Sequence, residues 1–268
     1  MAESTFDRAR FASRLTTRRL GLTLLLRGET ASTNDDVWDA AASGARDGTL
    51  VIADHQTRGR GRSGRVWLDT PGAGLAMSLL LHPGCDAASF ATAPLVAGLA
   101  LARALDGLGV DAELKWPNDL LLAGRKLAGM LCESRRRAEG TQAFVLGVGV
   151  NVAQRVEDFP PELREEATSL ALAGHELDRE TIAAAFLNAL EPLWDEHQEG
   201  DAHAALEAWR ARARFWGKPV AVRAPQGWIH GDAIALADDG ALVVRTAAGE
   251  DVRVLAGDVQ HVPAGGMQ

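Results

Sequence analysis

Cysteine is scarce in this chain: its 268 residues hold two, Cys85 and Cys132. They stand far apart, with no second ligand at zinc spacing, and two thiols make no disulfide framework in a chain this long. A reducing compartment follows. The histidines are scattered, and none forms a metal-binding spacing with another histidine or a cysteine. Long hydrophobic runs are missing too. Ala91 to Ala102 is the longest mainly apolar stretch, and Arg103 ends it well short of a membrane span. The run Leu22 to Leu26 behind Arg18-Arg19 stops at Arg27, too short for a signal-peptide core, and no small-residue cleavage site follows. Positive charge is not in excess: the formal net charge of -8 argues against salt-driven attraction to nucleic acid or anionic membrane. Neither DNA nor a membrane is expected as a partner, and the class that remains is a cytoplasmic enzyme or binding protein.

Lysine is the rarest charged residue. Of 28 basic residues, lysine occurs only at Lys115, Lys126 and Lys218, and arginine supplies the rest. A lysine kept against that bias marks a place where a compact ammonium is needed, unless it is chance.

What is present reads as a soluble globular protein, 47% hydrophobic and 24% charged, with room for one large or two unequal domains. Residues before about Gly21 carry charges and a weak helical pattern (Phe6, Leu15, Leu20), too few for a separate domain. Ser32 to Gly44 reads as a short helix, Leu50 to Ala53 as a buried strand, Leu75 to Leu81 as a strand, and Ala91 to Leu105 as a buried helix. Glu113 to Trp116, Asp119 to Leu122 and Lys126 to Glu133 read as short strands turned at Pro117-Asn118 and Ala123-Gly124, followed by Phe144 to Val152. Tight turns between strands predict a largely antiparallel sheet, because parallel pairs need long crossovers. Arg155 to Glu176 is an irregular connection. Asp178 caps a helix with Ile182, Phe186, Leu190 and Trp194 on one face, which Pro192 should kink. Leu206, Trp209 and Arg210 belong to a second helix. After Phe215 the texture becomes four short alternating runs (Val220 to Arg223, Trp228 to Leu236, Leu242 to Arg245, Asp251 to Leu255), the pattern of a small all-β barrel.

Four segments carry chemistry. In Gly59-Arg-Gly-Arg-Ser-Gly-Arg65, continuing Val66-Trp67, glycines let backbone amides converge on an anion while arginines add bidentate donors. Such a loop should order on binding, as lids do. A flexible RNA-binding arginine–glycine segment would look similar, though the chain's acidity speaks against it. No Gly-Lys-Ser/Thr follows, so it is not a Walker loop. The chain runs on into a strand rather than a helix, so it is not a dinucleotide fingerprint either. In the second segment, Lys115-Trp-Pro-Asn-Asp119 with Arg125-Lys-Leu-Ala-Gly129, proline restrains a turn that presents Asn118 and Asp119, and Lys126 lies one short hairpin away. That fits phosphates with magnesium, or a turn whose Asn-Asp satisfies its own backbone. Ser32-Thr-Asn34 is a helix start that caps choose anyway. Gly147-Val-Gly-Val-Asn151 is a strand approached closely by a ligand, or by packing alone. No Ser–His or Cys–His pairing suggests a nucleophile.

These segments, with Gln56, resemble in order and spacing those of the biotin protein ligases, from about Gly28 to the end of the chain. The resemblance implies an α+β fold of the class II aminoacyl-tRNA-synthetase and biotin-ligase type. That fold is a mixed, largely antiparallel sheet with helices over residues 1–213, holding the biotin and ATP sites, then a small SH3-like β-barrel over 214–268. It implies ATP-dependent activation of biotin to biotinyl-5′-AMP and transfer to a lysine of a biotin carboxyl carrier protein domain, by a monomer or homodimer. Ser32, Thr33, Asn34, Gln56, Arg60, Gly61, Arg62 and Lys126 would receive biotin. Arg60, Arg62, Arg65, Trp67, Lys115, Asn118, Asp119, Gly149 and Asn151 would receive ATP. Lys126, Arg62 and Asp119 would be catalytic, with Asp119 toward Mg2+. Many bacterial members carry an N-terminal winged helix-turn-helix. About thirty residues before Ser32 are too few for it, so the resemblance is to the ligase-only type.

Overall fold

Two sheets organise the chain, seen in a computed structural model that describes residues 4–82, 87–136 and 142–261; Cys85 lies outside the described residues. In chain order the elements begin with α1 (Arg8–Arg14), β1 (Leu24–Arg27), α2 (Thr33–Ala42), β2 (Leu50–Ala53), β3 (Gly74–Leu81) and α3 (Ala87–Gly107). Then come β4 (Glu113–Lys115), β5 (Asp119–Leu122), β6 (Arg125–Arg136), β7 (Gln142–Asn151), α4 (Arg179–Gln198) and α5 (His203–Arg212). Strands β8 (Pro219–Ala224), β9 (Gly227–Leu236), β10 (Leu242–Arg245), β11 (Asp251–Val254) and β12 (Asp258–His261) complete the chain.

The large sheet has the order β1-β2-β3-β7-β6-β5-β4. Only β1 and β2 pair in parallel, joined through α2; every other neighbouring pair is antiparallel. A parallel pair needs a crossover and α2 supplies it. The apolar run Leu22 to Leu26, taken from sequence only as too short for a leader, supplies most of the edge strand β1. Strand β3 is buried along its whole length, as a strand covered on both faces must be. Helices α3 and α4 pack together on one face, where Met77, Met130 and Val148 are buried in the main core. Helix α2 covers the other, with Val37 and Trp38 against Val51, Leu80 and Val145.

Helix α3 contains the stretch Phe90–Gly107, apolar and long enough to cross a membrane, yet 67% of it is buried inside the protein. It is a core helix. Helix α4 starts at Asp178, whose carboxylate accepts the Thr181 amide at 2.7 Å, and continues as one element through Pro192. The N-terminal residues lie along this helix: Glu191 accepts the backbone amides of Arg18, Arg19 and Leu20 at 2.7 to 2.9 Å. The connection from Arg155 to Glu176 holds three single 3-10 turns.

The second sheet is antiparallel, in the order β11-β10-β9-β8-β12. Four of its strands match the expected runs; the fifth, β12, was not foreseen from sequence. It pairs with β8, reaching back past three intervening strands, and no local alternation announces such a return. The two sheets share one buried core. Trp116, 1% exposed, joins them by donating its indole N–H to the Gly240 carbonyl at 2.9 Å.

Candidate active site

On the α2 side of the large sheet, strand register lines up small residues. Residues opposite one another across paired strands point to the same face. One such row runs Asp119, Gly129, Gly149, Ala76, Ala53; the next runs Leu131, Gly147, Ser78, Val51. The missing side chains leave room for incoming ones. A Cβ at Gly149 would stand 2.5 Å from Trp67 Cε2 and 2.6 Å from Cζ2, and one at Gly147 would collide with the Asn34 amide. At Gly129 it would lie 3.3 Å from Asp119 Oδ1 and 3.4 Å from Lys126 Nζ. Three glycines therefore seat Asn34, Trp67 and the Lys126–Asp119 pair on one floor.

One end of this floor is polar and buried. Ser32, Thr33 and Asn34 are each under 5% exposed. Ser32 occupies the N-cap of α2 without making a side-chain cap bond, so the triplet's polarity is turned inward rather than spent on the helix end. Gln56 Oε1 accepts from Thr33 N at 2.9 Å and from Thr33 Oγ1 at 3.0 Å. Ser78 Oγ lies 2.7 Å from Thr33 Oγ1 and 2.6 Å from Asn34 Oδ1, with one proton to share between them. Asn34 Nδ2 is buried and makes no hydrogen bond of normal geometry. It is nonetheless near enough to Glu133 to favour that carboxylate's charge. Burial raises the Glu133 pKa, but donors from Trp38 and Asn34 and the charge of Arg60 outweigh it and hold the group below its ordinary value.

The glycine–arginine segment forms a narrow loop over this floor. Gly61 N donates to Arg65 O at 2.7 Å and Trp67 N to Gly59 O at 3.0 Å. Its tip turns at Ser63 and Gly64 with φ of 55° and 75°, a left-handed conformation that suits the glycine and costs the serine. Three arginines fasten it. Arg60 is bidentate to Asp35, at 2.7 and 2.8 Å, and reaches Glu133 at 3.1 Å. Arg62 Nη1 donates to Asn118 Oδ1 at 3.1 Å and to the Gly257 carbonyl at 3.4 Å. Arg65 pairs with Asp258. The tip thus rests on the turn that leads into β12.

The other end of the floor is charged. Lys126 Nζ pairs with Asp119 Oδ1 at 2.7 Å and lies 5.9 Å from the Trp67 ring centroid. Asn118 Nδ2 donates to Met130 O at 2.7 Å, which aims its Oδ1 at Arg62. Burial holds Lys115 below the ordinary lysine value, with Asp119 opposing that shift and Lys126 adding to it. Burial also works against the charge on Arg62, opposed by Asp258 and Asp119. Cations gathered here at a desolvation cost are stabilised by an anion. Beside them Cys132 is a free thiol that burial pushes up to about 12.

The fold therefore brings together Ser32, Thr33, Asn34, Gln56, Gly61, Arg62, Trp67, Lys115, Asn118, Asp119, Lys126 and Gly149. Three predicted residues have partners of their own. Arg60 is taken up by Asp35 and Glu133, and Arg65 by Asp258. Asn151 donates to the Thr168 and Lys126 carbonyls at 2.9 and 3.5 Å and so fastens the following connection to β6. Sequence reasoning missed Ser78, Glu133, Asp35 and Asp258. Ser78 carried a signal, a lone hydroxyl in an otherwise apolar strand; Asp258 did not, because it belongs to the unforeseen strand. Among the described residues no group of three or more His, Cys, Asp or Glu is placed to hold a metal ion. A ligand with an uncharged polar head and an anionic tail, beside phosphates, suits this floor.

Known proteins match along the same regions. The profile of the Biotin/lipoate A/B protein ligase family matches residues 29–151, and that of the Biotin protein ligase C terminal domain matches residues 215–262. The Biotin--[acetyl-CoA-carboxylase] ligase of Mycobacterium tuberculosis is 39% identical over 245 residues, covering 87% of this chain and 87% of that protein. The Bifunctional ligase/repressor BirA of Bacillus spizizenii is 32% identical, covering 88% of this chain and 73% of that protein. A solved structure, biotin protein ligase from Aquifex aeolicus in complex with biotin and ATP, superposes with a TM-score of 0.77 at 27% identity. It covers 90% of this chain and 100% of that one.

Proposed function

The chain belongs to the biotin protein ligase family, and we infer from that membership and from the site that it activates biotin with ATP and transfers it to a lysine of a biotin carboxyl carrier protein domain. The observation that carries this reading is the floor itself: a buried neutral pocket at Ser32–Asn34 and Gln56, adjoining a cationic end at Lys126, Lys115 and Arg62. Biotin has a neutral ureido head and a carboxylate tail, and the two ends suit those two groups.

In the first step the biotin carboxylate attacks the α-phosphorus of ATP, pyrophosphate leaves and biotinyl-5′-AMP remains. Negative charge builds on the phosphate oxygens, and fixed cations in a half-buried site stabilise it. Lys126 does so in this reading, held by Asp119, and an entering anion favours the ammonium charge that burial disfavours at Lys115. Arg62 and Arg65, on a loop fastened to the turn before β12, close over the adenylate and keep water from the mixed anhydride. Gly149 lets Trp67 lie flat along the nucleotide side. In the second step the neutral ε-amine of the acceptor lysine attacks the biotinyl carbonyl and AMP leaves; Asp119 is the carboxylate available to take the proton. No enzyme nucleophile is required.

Magnesium would come with the nucleotide and neutralise phosphate charge. Such ions keep several waters and bind through one or two carboxylates plus substrate phosphates, so Asp119 alone fits that use where a resident metal cage would not. Residues 1–213 form the catalytic unit in this proposal and 214–268 the small C-terminal unit. The acceptor is the carrier domain of an acetyl-CoA carboxylase, the substrate named for the Mycobacterium tuberculosis relative, and the compartment is the cytoplasm.

Lipoate ligation is the second reading, because the family profile spans both cofactors. The C-terminal match to biotin ligases favours biotin. A thermal-shift titration separates them: biotin stabilises the protein and lipoate does not. The reverse pattern would reject the biotin reading.

A further inference from the structure

Asp69 sits where the glycine–arginine loop returns to the sheet. Its Oδ2 accepts the backbone N–H of Gln56 at 2.7 Å, so one hydrogen bond joins the two ends of the loop. From Gln56 the chain of bonds continues inward: Oε1 takes both Thr33 N–H and Thr33 Oγ1–H, and Ser78 stands behind Thr33. Backbone bonds hold the residues on either side of Gln56 to the segment before α2, with Thr30 N donating to His55 O at 3.0 Å, Thr57 N to Thr30 O at 2.9 Å and Arg58 N to Ala31 O at 2.9 Å; the amide of Gln56 itself is taken by Asp69.

We propose that Asp69 is a positioning residue for biotin, its carboxylate orienting Gln56 and, through Gln56, the Thr33 hydroxyl and amide in the buried pocket. The inference rests on the reading that this pocket receives biotin. A charge-assisted bond to a backbone amide is stronger than a neutral one, so the anchor is firmest while Asp69 is ionised. Burial raises this carboxyl to about 6, with the Gln56 amide, His55 and Arg179 opposing and Asp54 adding to the shift. These are the charged groups that face it: His55 beside Glu29 at 3.1 Å, and Asp54 paired with Arg179 at 2.8 Å. The anchor therefore weakens as pH falls through about 6. An alanine, or an aspartate in open solvent, would give no such dependence.

The test is calorimetric titration of biotin alone, without ATP, at several pH values between about 5 and 8, on the full chain and its variants. The wild type should lose affinity as pH drops through about 6. Asp69→Asn, which keeps an acceptor oxygen but cannot titrate, should bind somewhat more weakly at neutral pH with a flat profile. Asp69→Ala should bind roughly tenfold more weakly. In both variants turnover at saturating biotin should change less than about twofold, a split between KM and kcat that a general loss of folding would not give. His55→Asn removes a charge that opposes the shift at Asp69, so it should keep the pH dependence and move its midpoint upward. Persistence of the pH dependence in Asp69→Asn, or wild-type affinity in a folded Asp69→Ala, would overturn the proposal. A wild type that binds no biotin at any pH would overturn the functional reading and this inference with it.

Discussion

The indole of Trp67 occupies the space that a side chain at Gly149 would fill, its Cε2 only 2.5 Å from where a Cβ would stand. The loop thereby ends in a ring laid directly on the sheet, between the polar pocket and the Lys126–Asp119 pair. Gly149→Ala should lift that ring. The overpacking should cost about 1–3 kcal/mol of stability and reduce biotin-dependent exchange of pyrophosphate into ATP by at least about tenfold. Because both changes act through one contact, the double variant Trp67→Ala with Gly149→Ala should be no worse than Trp67→Ala alone. Strictly additive losses would contradict the contact's role.

Lys126→Ala should lower adenylate formation by about two to three orders of magnitude, the cost of removing one fixed donor from developing charge. It would also leave Asp119 without its partner. Pyrophosphate exchange measured at saturating biotin and ATP checks this, and a near-normal rate would remove Lys126 from the chemistry. Lys126→Arg should not rescue, because a planar guanidinium cannot stand where the ammonium meets both Gly129 and Asp119.

Much of this site was legible in the sequence, for a physical reason. Lys115, Asn118, Asp119 and Lys126 lie within two successive hairpins, β4-β5 and β5-β6, so local turn chemistry brings them together, and the glycine–arginine run announces its own anion-binding use. Asp35, Ser78 and Glu133 become neighbours of that run only through strand register and the α2 crossover. Those depend on pairings far apart in sequence. The same holds for β12: its pairing with β8 is non-local, and Asp258, the partner of Arg65, went unseen with it. The partners of Asn151 were hidden for a related reason. Its spacing after Gly149 says it lies on the strand, but only the path of the following connection shows its amide fastening backbone carbonyls.

Arg62→Gly should loosen the loop tip, since it removes the donors to Asn118 and to the Gly257 carbonyl. The adenylate should then escape faster and acylate lysines of unrelated proteins, seen as diffuse biotin labelling of a bystander protein. Adenylate retained as long as in the wild type would contradict a lid role for Arg62.

Stability should depend on pH through Asp69. Its folded-state pKa of about 6 lies above the ordinary aspartate value of 3.8, so the folded state holds the proton more tightly. The favourable contribution is complete below the unfolded value and is lost as pH rises through about 6, amounting to at most about 3 kcal/mol. Asp69→Asn should therefore be more stable than the wild type at neutral pH and lose that advantage near pH 4, read from urea melts at the two pH values. The Asp35–Arg60 pair does not confuse the comparison. Its hydrogen bond to Arg60 holds the Asp35 carboxyl below its ordinary value, and the pair is the same in both proteins, so it cancels from their difference. A constant difference between the two proteins would contradict the assignment.

The most direct measurement is the intact mass of a biotin carrier domain after incubation with this protein, biotin, ATP and magnesium. The expected result is a gain of one biotinyl group on one lysine, dependent on ATP and strongly slowed by Lys126→Ala. A carrier domain whose mass does not change, with folded protein and all substrates present, would contradict it.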